Sequence, residues 1–156
     1  MDSPDSNGAA RRHELEATYG ATRYEAFGLG VELCLRVDQV HPELDQLLAT
    51  SKRSTWAFLT AWNPRSIPTN QALNQAAHQE LFVRLSVLKD DLDRPLMVLP
   101  GRGVGVDPSW TPEESYLVLG ISTEQAESPC GAFNQWARLA GTLGQPAQLI
   151  WTHLAP

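Results

Sequence analysis

The sequence predicts an α/β (α+β) fold, a single-domain layered sandwich built on a mixed sheet of about five strands. Three observations predict it. Val31, Leu33, Leu35 and Val37 alternate with Glu32, Cys34 and Arg36, the period of two expected of a half-buried strand. Residues 56–62 are apolar almost throughout, as in a central strand covered on both faces. Leu73, Ala77, Leu81, Leu85 and Leu88 recur every three or four residues, which marks the inner face of a long helix.

The elements follow in order. Residues 1–18 are small, polar and charged, and read as a disordered tail with at most a short helix near 11–17. Gly28-Leu29-Gly30 punctuates entry into the strand at 31–37. Pro42 opens a short helix at an early position, where its missing N–H costs nothing. After the strand at 56–62, Asn63-Pro64-Arg65-Ser66 breaks the chain and Asn70 caps the long helix. Residues 96–99 form a third strand, stopped by Pro100-Gly101. A long loop over 100–115 leads to a fourth strand at 116–121. Ser122 and Gln125 make a capping box for another helix, which Pro129 and Gly131 interrupt before a second helical segment from about 132 to 143. Gly144 stops that segment, and 148–152 is the last strand. The order is β-α-β-α-β-β-α-β, whose last six elements spell the split βαβ arrangement of ferredoxin-like folds. Residues 19–156 make the single domain.

Composition narrows the function. The 156 residues carry 12 Lys and Arg against 18 Asp and Glu, a formal net charge of −6. The basic residues are scattered, so the stripe that displaces counterions from nucleic-acid phosphates is missing, and a nucleic-acid partner is not expected. No apolar run approaches the length of a membrane span, and the N-terminus lacks a signal-peptide core, so the expected location is cytoplasmic. Cys34 and Cys130 are far apart, and Cys34, in an apolar run, reads as a buried inert thiol. The four histidines show no metal-ligand spacing, and the sequence demands no cofactor. Trp56, Trp62, Trp136 and Trp151 fall in expected strands and helices, as core packing requires.

Three clusters of chemistry-bearing residues remain. Thr60, Asn63, Arg65, Ser66 and Asn74 gather where a central strand meets a helix, a usual place for a ligand crevice and also what a plain turn and caps need. Arg102, among Gly101, Gly103 and Gly105, suits either an oxyanion cradle or a structural turn. The Walker lysine is missing and a strand, not a helix, follows, which rules out nucleotide loops of the familiar kinds. Trp110 stands close to Glu113 and Glu114. A carboxylate against an indole can gain a raised pKa and act as acid or base, while the ordinary alternative is a solvated turn under a tryptophan lid.

The block Phe58-Leu59-Thr60-Ala61-Trp62-Asn63-Pro64-Arg65-Ser66, with Asn74 eight residues beyond the serine, resembles a bacterial family known as domain of unknown function 3293. So do Pro100-Gly101-Arg102-Gly103, Trp110 and Glu113-Glu114-Ser115-Tyr116-Leu117-Val118-Leu119-Gly120. The likeness runs from about Tyr24 to Trp151. Two departures stand out: Pro146 where the family tends to have asparagine, and a longer segment around Ser128-Pro129-Cys130-Gly131. The resemblance implies no activity. It points to the residues already singled out as one crevice: Glu113 as acid or base, Arg102 and Gly103 holding an anion, and Thr60, Asn63, Ser66, Asn74 and Trp110 orienting it. The expected ligand is a small polar or phosphorylated, nucleotide-like molecule. The alternative is a non-catalytic module that binds a protein partner, antitoxin-, immunity- or adaptor-like.

Overall fold

A computed structural model of the chain describes residues 4–156 and shows an α+β fold in which seven strands form one curled antiparallel sheet. Helix α1 (Pro4–Ala21) leads into β1 (Arg23–Gly28) and β2 (Val31–Leu35), then α2 (Pro42–Thr50) and β3 (Thr55–Thr60). A short 3-10 turn over Pro64–Ser66 precedes α3 (Gln71–Ser86), β4 (Met97–Val104), β5 (Glu113–Leu119), α4 (Thr123–Ala132), β6 (Ala137–Thr142) and β7 (Gln148–Trp151). Across the sheet the strands run β2-β1-β4-β5-β3-β6-β7, and every neighbouring pair is antiparallel.

This corrects the expected five-stranded mixed, ferredoxin-like sheet. Two strands were hidden in the sequence. β1 alternates Tyr24 and Ala26 against Arg23, Glu25 and Phe27, and only Ala26 is buried, so its apolar period is weak. β6 carries a buried arginine, Arg138, and a glycine that must lack a side chain, because a Cβ on Gly141 would lie 2.7 Å from the Trp56 indole. That composition disguises a strand as the expected helical segment 132–143. The long loop shrinks as well. β4 continues through Pro100 and Gly101 to Val104 and β5 starts at Glu113, leaving 105–112 as the connection.

Strand parity sends side chains to two cores. Leu33, Leu35, Trp56, Phe58, Leu99, Leu117 and Leu139 pack with Leu44 and Leu48 of α2 on one face. Ala57, Leu59 and Val118 pack with Leu81 and Leu85 of α3 and with Ala126 and Cys130 of α4 on the other. The apolar run of β3 is thus a central strand covered on both faces, as its composition indicates. Cys34 lies on the outer parity of edge strand β2 and is exposed, contrary to its expected burial, whereas burial pushes the Cys130 thiol up to about 11.

Helix ends follow the expected chemistry, with one exception. Asn70 accepts from the Ala72 N–H at 2.8 Å, and Ser122 with Gln125 forms a complete capping box. α4 runs through Pro129, only three residues before its end, rather than breaking there. On α3, Leu73 points outward and Asn74 takes the buried position.

The polar tail is corrected too. Apart from the first three residues, which lie outside the described ones, it forms α1 together with residues up to Ala21. Its inner stripe is Arg12, Leu15 and Tyr19. Leu15 is buried, the Arg12 guanidinium lies 4.6 Å over the Trp151 ring, and Tyr19 packs at 5.9 Å from the same ring. An arginine stem and a tyrosine cover apolar surface here without reading as apolar periodicity.

Gly101 is where the sheet tolerates least. A Cβ there would sit 2.5 Å from the Glu25 carbonyl oxygen and 3.1 Å from the Phe58 ring. Gly101→Ala is expected to destabilise the protein by roughly 1–3 kcal/mol, as overpacking does, measured by denaturant unfolding against wild type. An unchanged midpoint would show that β1 and β4 can part at no cost.

Candidate functional site

At one end of the sheet, on the face that α2 covers elsewhere, α1 and the 105–112 loop enclose a cavity of about 610 Å³. Its floor follows from register. Tyr24 of β1 stands opposite Gly103 of β4, and Gly103 opposite Glu113 of β5. The three lie abreast, all facing the cavity. Gly103 leaves the space between the phenol and the carboxyl open, since a Cβ there would meet only Thr22, at 3.9 Å. Phe58, Thr60 and Ser115 continue the floor, while Trp110, Ser66 and Tyr19 stand around it.

Glu113 is held from behind by asparagines. Asn63 Nδ2 donates to Glu113 Oε1 at 2.9 Å. Asn63 itself is locked to Asn74: its N–H donates to Asn74 Oδ1 and its Oδ1 accepts from Asn74 Nδ2, both at 3.0 Å. The Thr69 N–H donates to the same Asn63 oxygen at 3.0 Å, and Asn74 Nδ2 also reaches the Thr69 carbonyl at 3.1 Å. Asn63 and Asn74 are both buried, so this lattice satisfies amides that would otherwise be costly.

The turn beneath is strained. Asn63, Arg65 and Ser66 all have positive φ, at 46°, 56° and 57°. Asparagine tolerates that region, but arginine and serine adopt it at a cost of about 1–3 kcal/mol each. The Arg65 N–H donates to the Asn134 carbonyl and the Ser66 N–H to the Asn63 carbonyl. The strained turn presents the Ser66 hydroxyl to the Tyr19 hydroxyl, 2.8 Å away. Thr60 is occupied structurally: its hydroxyl donates to the Glu114 carbonyl and accepts from the Trp62 N–H.

Burial shapes the electrostatics. It raises the Glu113 carboxyl above its ordinary value, while the Asn63 hydrogen bond and the neighbouring Trp110 indole draw it back. Burial likewise raises Tyr19, with the Ser66 hydrogen bond opposing it and the Glu113 charge adding to it. Among the described residues no cation pairs with Glu113. No group of three or more His, Cys, Asp or Glu is placed to hold a metal ion among them either.

Of the residues singled out in the sequence, Glu113, Asn63, Thr60, Ser66, Gly103 and Trp110 line one cavity. Asn74 stands behind Asn63 as a positioning residue. Arg102 does not converge with them. Because β4 continues through 100–104, Arg102 has the opposite parity to Gly103, is exposed, and bonds Glu25 at 2.7 Å. The expected anion clamp is therefore spent on a cross-strand ion pair. Tyr19, Tyr24 and Gln135 were missed. Tyr19 and Tyr24 lay at the junction of the supposed tail and domain, where aromatic residues in a polar surround were the available signal. Gln135, which donates to the Trp62 carbonyl at 3.0 Å, lay in the supposed helix.

Fold and site define an α+β domain with a walled, carboxyl-floored cavity. The family model described as protein of unknown function (DUF3293) matches residues 59–137, half of the chain, and the chain belongs to that family. No curated protein and no solved structure matches it. The Pro146 departure lies in the β6–β7 turn, outside the cavity lining. Among the described residues no helix is long and apolar enough to cross a membrane.

The raised Glu113 carboxyl sets a pH signature. The native state holds this proton more tightly than the unfolded chain, so stability falls as pH rises from the ordinary value of 4.5 through the raised one. Glu113→Gln removes that loss and keeps an oxygen for Asn63 to donate to. Melting temperatures across pH should show the variant gaining on wild type as pH rises through that window. A constant difference at every pH would mean the carboxyl is not raised. Removing the amide behind it should act at all pH values: Asn74→Ala orphans the buried Asn63 N–H and is expected to cost about 1–3 kcal/mol by denaturant unfolding.

Proposed function

We propose that this domain binds a small polar molecule in the cavity, with Glu113 as the group that engages it and serves as acid or base if chemistry follows. The observation that carries this is the Glu113 carboxyl itself. It is partly desolvated, raised, fixed by Asn63 and faces open space left by Gly103. Structural carboxylates of this degree of burial ordinarily sit with a cation or a cluster of N–H donors. Asp90 shows the contrast, bonded by the backbone N–H groups of Leu92 and Arg94 and by the Arg94 guanidinium. Perturbed acids in concave, mostly apolar sites are the usual mark of binding or catalysis. The phosphorylated, nucleotide-like ligand expected from the glycine-rich segment loses its main support with Arg102 turned away.

The second reading, a module that docks a protein partner, rests on a different surface. Val83 on the outer side of α3 and Val87 at its C-cap are exposed together with Leu73.

A thermal-shift screen against amines, nucleotides and sugar phosphates tests the first reading. A ligand at 100 times its dissociation constant should add about 2.7 kcal/mol to wild type. Gly103→Leu, which fills the floor without entering a strained conformation, should keep the fold and lose the shift. A shift that survives in Gly103→Leu, or a wild type that responds to nothing, would remove the cavity as the binding site.

A further inference from the structure

The ligand class can be drawn from what surrounds the carboxyl. Both cations on the cavity wall are already matched. The Arg138 guanidinium donates to Glu127 at 2.6 Å, and Arg11 lies 3.5 Å from Glu14. Asp107 accepts from both the backbone N–H and the hydroxyl of Ser109. Glu113 likewise has only neutral partners, the Asn63 amide on one oxygen and the Trp110 indole. Its carboxyl lines the cavity, and no cation among the described residues pairs with it.

The wall around it is aromatic. Tyr19, Tyr24, Phe58 and Trp110 all line the cavity, with Tyr24 edge-on to Phe58 at 5.4 Å between centroids. Aromatic faces attract cations through the ring quadrupole and repel anions, most strongly where water is excluded. A half-buried carboxylate favours a counter-charge that restores what desolvation removed. The two effects favour the same charge sign.

We infer that the cavity takes an organic cation, an amine, amidine or guanidine on an apolar or aromatic body, with the charged nitrogen on Glu113 and the body among the aromatic residues. This rests on the cavity being a ligand site, and names the charge the site selects. Planar amidinium and guanidinium groups suit it best, because two parallel N–H donors match a carboxylate. The Gly103 gap lets such a group lie between Tyr24 and Glu113.

Three isosteric probes test it by isothermal titration: benzamidine, benzamide and benzoate, of charge +1, 0 and −1. Wild type should bind benzamidine roughly tenfold or more tightly than benzamide, since a charge-assisted pair outweighs a neutral one, and benzoate most weakly. Glu113→Gln should remove the preference for benzamidine while its far-ultraviolet circular dichroism stays that of wild type, and Trp110→Ala should weaken benzamidine more than benzamide. Benzamide or benzoate bound as tightly as benzamidine would overturn the cationic class and leave the cavity standing as a ligand site. None of the three binding, when another compound gives a shift that Gly103→Leu abolishes, would also overturn the class alone. None binding and no such shift would overturn both.

Discussion

Asn63 sits just beyond the end of β3 with φ 46° and ψ 64°, and its side chain must do two things at once. Its oxygen collects the Asn74 amide and the Thr69 N–H, and its nitrogen is thereby turned toward Glu113. That orientation follows from donor and acceptor arithmetic, since the oxygen end is saturated by donors and only the NH₂ end remains for a carboxyl. Asn74 closes the arrangement by accepting from the Asn63 backbone. The end of β3, the start of α3 and the cavity floor are thus one hydrogen-bonded unit. The left-handed turn 63–66 persists because this unit over-determines it.

The glycines of β4 complete the same unit by what they omit. Gly101 lets the backbone of β1 and the Phe58 ring close in, and Gly103 leaves a gap between a phenol and a carboxyl. One permits close packing and the other leaves space unfilled, two residues apart on the same strand face. A sheet that must curl and also hold a cavity at one end needs both.

Much of this was legible as residues and little of it as geometry. Asn63, Asn74, Trp110 and Glu113 stood out as residues whose chemistry could converge on a ligand, and the structure brings all of them to or behind the cavity. Arg102 stood out for the same reason and went elsewhere, because its direction depends on whether the chain at 100–104 is loop or strand. In a strand, adjacent residues point to opposite faces. Pro100 and two glycines are poor strand formers, and only pairing with β1 on one side and β5 on the other keeps them extended. β1 and β6 were obscured in a similar way. Tertiary pairing, not local apolar rhythm, makes them strands. With β1 unread, the antiparallel order was out of reach, and α1 with its arginine and tyrosine stripe passed for a tail.

The cavity is assembled from the family segment and from chain on either side of it. The residues matched by the family model, 59–137, supply Asn63, Ser66, Gly103, Trp110 and Glu113, while Tyr19, Tyr24 and Phe58 come from the chain before it and Leu139 and Leu149 from the chain after it. The α1 side of the cavity is therefore separable in sequence from Glu113 and its asparagines, though joined to them in space. Exchanging the first thirty residues for those of a relative would re-line that side of the chamber while leaving Glu113 and its asparagine support in place. The lining in this architecture can drift by terminal replacement, with the buried carboxyl never altered.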